Sequence, residues 1–209
     1  MNTFSLGGLM EEKITFLSND HEIEGLLGKN SKTKGAVISH PHPLYGGNMH
    51  NNVVEVITRV YQKKGYTTLR FNFRGIGKSQ GAYADGVGEQ DDVRAAVSFL
   101  KDSGRTTIDL AGYSFGTWVN ALAISDDRIL ESMIMVSPPV AFIDFSAITH
   151  LGRLKLIITG SRDDIAPVGM VKDAFPKWNP AARFEVIEGA DHFYRGYEDK
   201  LEAILRANL

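Results

Sequence analysis

The sequence predicts an α/β fold: one mostly parallel sheet of about eight strands, with helices on both faces. Three observations carry that expectation. Runs of strand length alternate with segments of helical spacing throughout the chain after residue 35. The runs at 66–73 and 130–136 read as strands of the parallel kind, covered on both faces. Glycine-rich and polar turns follow the strands, where open α/β sheets collect their reactive groups.

Residues 12–17 and 22–27 alternate and flank the polar turn Ser18-Asn19-Asp20, which predicts an antiparallel pair. A short buried strand at 35–39 runs into His40-Pro41-His42-Pro43-Leu44-Tyr45-Gly46-Gly47. The prolines and glycines there forbid regular structure, so a shaped loop is expected. A helix over 51–64 carries Val53, Val54, Ile57, Val60 and Tyr61 on one face, and Gly65 stops it. The strand at 66–73 precedes a helix at 89–100 with Val93, Ala96, Val97 and Leu100 on one face. A strand through Ile108, Leu110 and Ala111 then leads to a helix at 117–124. Strands at 130–136, 154–159 and 184–187, a helix at 168–175 and a closing amphipathic helix at 197–207 complete the series. Right-handed crossovers follow from this order. With no repeat or linker, residues 1–209 are expected to form one domain, with 1–9 as a loose tail.

Composition narrows the function. A chain of 209 residues holds one substantial core and is short for two. Its formal net charge of −2 offers no basic footprint for nucleic acid. The absence of cysteine excludes disulfides, thiolate metal sites and a cysteine nucleophile, and fits a reducing compartment. No basic leader opens the chain and no apolar run reaches bilayer length, so a cytoplasmic protein without membrane attachment is expected. The expected partner is a small molecule, and the expected state a monomer or homodimer.

The chemistry centres on Gly112-Tyr113-Ser114-Phe115-Gly116, between a strand and a helix. A strand reversing sharply into a helix strains its tip residue and leaves no room for side chains on the flanks, hence the glycines. Ser114 at the tip has its hydroxyl clear of the sheet, in the place of a nucleophile. The pentapeptide alone is a weak signal in a chain with 21 glycines. Two further polar strand ends strengthen it: residues 160–167 after one strand and 189–193 after the next. A serine needs a base, which His192 supplies, and the histidine needs a carboxylate on its other nitrogen. Asp163 is the candidate, Asp164 its local rival, and Asp191 stands too close to His192 to turn back onto it. His40 and His42 lack the further His/Asp cluster that a metal site requires, so no metal is expected. Gly77-Lys78-Ser79 hints at a phosphate loop, but the first glycine that loop needs is replaced by Asn72.

Nearly end to end, these motifs resemble the α/β-hydrolases. The carriers are the 40–47 loop, Arg74-Gly75-x-Gly77-x-Ser79, the 112–116 elbow, Gly160-x-x-Asp163-x-x-x-Pro167 and Gly189-Ala-Asp-His192. The chain is similar to a small lidless group with a His-Pro-His-Pro-x-x-Gly-Gly loop. That group is related to dienelactone-hydrolase-like enzymes, though those use a cysteine nucleophile. The acid turn of the family favours Asp163 over Asp164. The resemblance implies an oxyanion hole from the Phe115 N–H and one N–H of the 40–47 loop. Counting along the motif gives His42, since Pro41 and Pro43 have no N–H, with Leu44 or Tyr45 as alternatives. Only 138–153 lies where lids usually enter, so no cap domain is expected. Leu44, Tyr45, Trp118, Pro139, Phe142, Phe193 and Tyr194 are the candidate pocket walls. The implied activity is cofactor-free hydrolysis of small carboxylic esters through an acyl-enzyme. A thioesterase or small-peptide hydrolase is the neighbouring reading, and a binding or scaffold protein on the same fold the non-enzymatic one.

Overall fold

The computed structural model describes residues 3–6, 9–124 and 130–209, with side chains from residue 10 onward. Strands β1 (Thr3–Leu6), β2 (Leu9–Ser18) and β3 (His21–Gly28) pair antiparallel in succession. The chain then alternates through β4 (Lys34–Ser39), α1 (Asn52–Lys63), β5 (Thr67–Phe71), α2 (Val87–Asp102), β6 (Thr107–Tyr113) and α3 (Phe115–Ala123). It continues as β7 (Ser132–Val136), β8 (Leu154–Gly160), α4 (Val168–Trp178), β9 (Arg183–Ile187) and α5 (Glu198–Asn208). The nine strands form one sheet in the order β1-β2-β3-β5-β4-β6-β7-β8-β9, parallel from β5 to β9. All eight expected strands are present. The ninth corrects the expectation of a loose tail: Thr3–Leu6 pairs in register with residues 9–12 of β2.

The two faces follow from the period of two along each strand. Ala36, Ile38, Ala111, Tyr113, Ile134 and Val136 pack under α1 and α5, while Val37, Leu110, Met133 and Met135 pack under α2, α3 and α4. Boundaries shift where side chains bond to backbone. Asn51 caps α1 by accepting from the N–H groups of Val53 and Val54. Helix α2 starts at Val87 rather than 89, because the Glu89 carboxylate reaches back to the Ala84 and Gly86 N–H groups. Helix α4 passes Pro176 and ends at Trp178, whose buried ring packs 5.0 Å from that of Phe145. Packing there outweighs the backbone hydrogen bond that proline forgoes.

Strand order positions the site. Strand β4 lies between β5 and β6, so the chain leaves it on one side and returns on the other. The crevice opens at that reversal, at the carboxyl ends of β4 and β6, where Ser39 pairs with Gly112. Residues 137–153, between β7 and β8, contain no helix and build no cap. No described helix is long and apolar enough to cross a membrane.

One buried ion pair ties the antiparallel and parallel parts of the sheet. The Arg70 guanidinium on β5 donates to both Glu11 oxygens on β2 at 3.1 and 2.6 Å, and also to the Met49 carbonyl and to Glu55. Both partners are almost fully buried. Losing one member would strand the other's charge in the interior. Arg70→Met should therefore lower the unfolding free energy by about 3–5 kcal/mol. Lys29→Ala, which removes an exposed pair with Glu12, should change it by less than about 1 kcal/mol. Urea unfolding of the two variants checks the contrast.

Candidate active site

Ser114 links β6 to α3 with φ 52 and ψ −123, a conformation that costs a non-glycine residue about 1–3 kcal/mol. Neighbours hold it there. Its N–H donates to the Val136 carbonyl at 2.9 Å, and its carbonyl accepts from the N–H and hydroxyl of Thr117 at 2.8 and 2.7 Å. Gly116 lets α3 approach β4: a Cβ there would lie 2.6 Å from the Ser39 carbonyl oxygen.

The hydroxyl of Ser114 lies 2.9 Å from His192 Nε2. His192 Nδ1 lies 2.9 and 3.0 Å from the two oxygens of Asp163. The three residues, from three separate loops, form one hydrogen-bonded chain. Asp163 is the buried carboxylate, whereas Asp164 and Asp191 are exposed, and Asp191 accepts from the Phe193 N–H instead. Burial would raise the Asp163 carboxyl. The hydrogen bond and charge of His192, with the Ser137 hydroxyl and the Ala166 N–H, outweigh burial and hold it below its ordinary value. Oδ1 accepts from the Ile165 and Ala166 N–H groups at 2.9 and 2.7 Å, and Oδ2 from Ser137 Oγ at 2.6 Å. Ser137 in turn meets the Tyr194 hydroxyl at 2.7 Å, and the Tyr113 hydroxyl donates to the His192 carbonyl at 2.7 Å. Sequence reasoning did not single out Ser137. Its only signal was a polar residue at the end of an apolar strand.

The loop after β4 is held from inside. His40 is fully buried. Its Nε2 accepts from the Phe73 N–H at 3.0 Å, so its proton sits on Nδ1 and is donated to the Pro41 carbonyl at 2.6 Å. A Cβ on Gly47 would overlap that carbonyl oxygen. With the peptide trans, as all described peptides are, the His42 N–H points opposite the Pro41 carbonyl, away from His40. The N–H groups of Leu44, Tyr45, Gly46 and Gly47 are spent within the turn. Phe115 opens α3, so its N–H is among those a helix leaves without an intrahelical acceptor.

Ser114 opens into a cavity of about 590 Å³ lined by Pro41, His42, Tyr45, Phe115, Pro139, Phe142 and Phe193, together with Ile143 and Ile165. Three expected walls are elsewhere. Leu44 points into solvent. Trp118 packs on Phe115 and donates its indole N–H to the Asp144 carbonyl. Tyr194 is buried behind Asp163, on Ser137. Among the described residues no cluster of three or more His, Asp or Glu side chains could hold a metal ion. The Lys78 N–H donates to the Glu24 carboxylate at 2.8 Å, so that loop faces an anion of the protein's own.

No protein-family model matches the chain. A structure described as an alpha-beta serine hydrolase homologue from Coxiella burnetii is 34% identical, has a TM-score of 0.86, and covers 95% of this chain and 97% of its own. The chain belongs to the α/β-hydrolase superfamily. Within it, the small lidless group is the match: an a/b serine hydrolase without lid from Xanthomonas campestris is 28% identical with TM-score 0.86, over 95% of this chain and 93% of that one. "Uncharacterized protein RP471" of Rickettsia prowazekii (strain Madrid E) is 34% identical over 195 residues, 88% of this chain and 82% of that one.

His40 gives this α/β-hydrolase a measurable pH signature. Burial pushes its imidazole down to about 4 from 6.5. The unfolded chain takes up that proton below pH about 6.5, while the folded one refuses it until about 4. The associated stability is present above 6.5 and declines as pH falls through that window, by about 3 kcal/mol in all. Urea unfolding between pH 7 and 4 should show this slope in the native chain and a shallower one in His40→Gln. Equal slopes would remove His40 as its source.

Proposed function

We propose that this α/β-hydrolase is a serine hydrolase of small carboxylic esters. The observation that carries the reading is the unbroken hydrogen-bonded chain from the Ser114 hydroxyl through His192 to the buried Asp163. The strain at Ser114 supports an enzyme over a scaffold, since a binding protein would gain nothing from it. The serine-hydrolase descriptions of the Coxiella and Xanthomonas structures point the same way.

The Ser114 oxygen attacks the acyl carbon while its proton passes to His192 Nε2. Asp163 accepts from Nδ1–H, which fixes the tautomer and stabilises the imidazolium. Charge developing on the acyl oxygen is met by the N–H groups of Phe115 and His42. When the intermediate collapses, the ester C–O bond breaks and His192 returns its proton to the departing alcohol. Water then gives a proton to His192, attacks the acyl-enzyme and releases the acid, and the proton returns to Ser114. No cofactor takes part.

A fluorophosphonate probe should modify Ser114, and Ser114→Ala should lower ester turnover at least about a thousandfold. Asp163→Asn should lose about ten-thousandfold, because an amide selects the wrong tautomer, while the exposed Asp164→Asn stays near wild type. Turnover retained in Ser114→Ala would end the serine-nucleophile reading.

Substrate size follows from the open, apolar cavity. Without a lid it buries only a few methylenes, each contributing about 0.8 kcal/mol. Efficiency on p-nitrophenyl esters should peak at acyl chains of about two to six carbons. Emulsified substrate should bring no jump in rate, because nothing has to open. A maximum near about twelve carbons would reveal a deeper tunnel.

A further inference from the structure

We propose that the imidazole of His42 is a positioning group for the oxyanion hole: its Nδ1 latches the turn that aims residue 42's own N–H at the acyl oxygen. The inference rests on the serine-hydrolase reading above, and adds a residue whose side chain does no chemistry on the substrate. His42 caps the 3-10 turn Pro43–Tyr45 with φ −54 and ψ 123. Its Nδ1 accepts from the Leu44 N–H at 3.2 Å. The proton of the neutral ring is therefore on Nε2, 3.3 Å from the Tyr83 hydroxyl.

The need for a latch is conformational. Pro41 and Pro43 have φ fixed by their rings. The peptide plane between Pro41 and His42 turns by ψ of Pro41 together with φ of His42, the one φ of these three residues that no ring fixes, and that turn carries the His42 N–H. His40 anchors the near side of the same peptide unit through the Pro41 carbonyl. The Nδ1 contact anchors the far side. The turn also closes on the His42 carbonyl, which accepts from the Tyr45 and Gly47 N–H groups at 3.1 and 3.0 Å.

The ring packs among three aromatic neighbours. Its centroid lies 4.7 Å from that of Phe115, 4.8 Å from Tyr45 and 5.1 Å from Tyr83. Phe115 supplies the other proposed oxyanion donor, so this contact couples the two halves of the hole. Burial lowers the His42 pKa against the pull of Asp85, which keeps Nδ1 an acceptor at neutral pH.

The test is steady-state turnover of p-nitrophenyl butyrate by the full chain and by His42→Ala, His42→Phe, His42→Asn and Ser114→Ala. Phenylalanine keeps the ring packing and lacks the acceptor. Asparagine restores an acceptor for the N–H two residues on. His42→Ala and His42→Phe should lower kcat by about ten- to a hundredfold, with KM within about threefold of wild type. His42→Asn should recover kcat to within about threefold. Thermal melting is read on each variant, and where His42→Ala melts early the Phe and Asn pair decides. Wild-type kcat in His42→Phe would overturn the latch, as would His42→Asn as slow as His42→Phe, or a loss confined to KM. Turnover surviving in Ser114→Ala would instead overturn the hydrolase reading beneath it.

Discussion

Ser114 is held in a backbone conformation that a serine avoids on its own, and much of the surrounding structure serves to hold it there. The strand before it is pinned by parallel pairing on both sides, to β4 and to β7. The helix after it starts within contact of the β4 backbone because residue 116 has no side chain. Strain of this kind is concentrated at the site: among the described residues five non-glycine residues have positive φ (Asn19, Asp85, Ser114, Ser137 and Tyr194), and three of them belong to it. Ser114 carries the hydroxyl, while Ser137 and Tyr194 stand behind the carboxylate.

That carboxylate is the second dependence. A buried charge is tolerated only when its oxygens are fully engaged. Asp163 meets the condition with two backbone N–H groups, the Ser137 hydroxyl and the His192 ring. The residue therefore stays ionised in spite of burial and is fixed in orientation. His192 is steadied in turn by the Tyr113 hydroxyl on its carbonyl.

Around this rigid centre the mouth is open and aromatic. Tyr45 and Phe142 are 87% and 75% exposed yet line the cavity, and Phe193 stands beside them. No cap covers them, because residues 137–153 run from β7 to β8 as loop alone. The turn carrying His42 must keep its shape by its own contacts, and the His40 and His42 imidazoles supply two of them.

The sequence by itself determined the order of strands and helices, since helical and strand periods are local properties, and it determined the three polar strand ends. Ser114, Asp163 and His192 were legible because the elbow and the two turns carry local constraints of their own. The ninth strand was not, because an edge strand such as Thr3–Leu6 forms by pairing with a neighbour rather than by its own pattern. Neither was the sorting of pocket walls. Trp118 and Tyr194 look like Phe142 and Phe193 in a list of aromatics, and only packing turns one pair inward, onto Phe115 and Ser137. Counting along the motif already favoured His42 as the proposed donor, with Leu44 or Tyr45 open, but which of those N–H groups is left unspent belongs to tertiary structure. It depends on which donors the turn consumes and on a buried His40, reached from Phe73 just past the end of β5, that turns one peptide plane. Periodicity records what a segment does within a few residues. The direction of a single N–H depends on contacts that arise only when distant strands become neighbours.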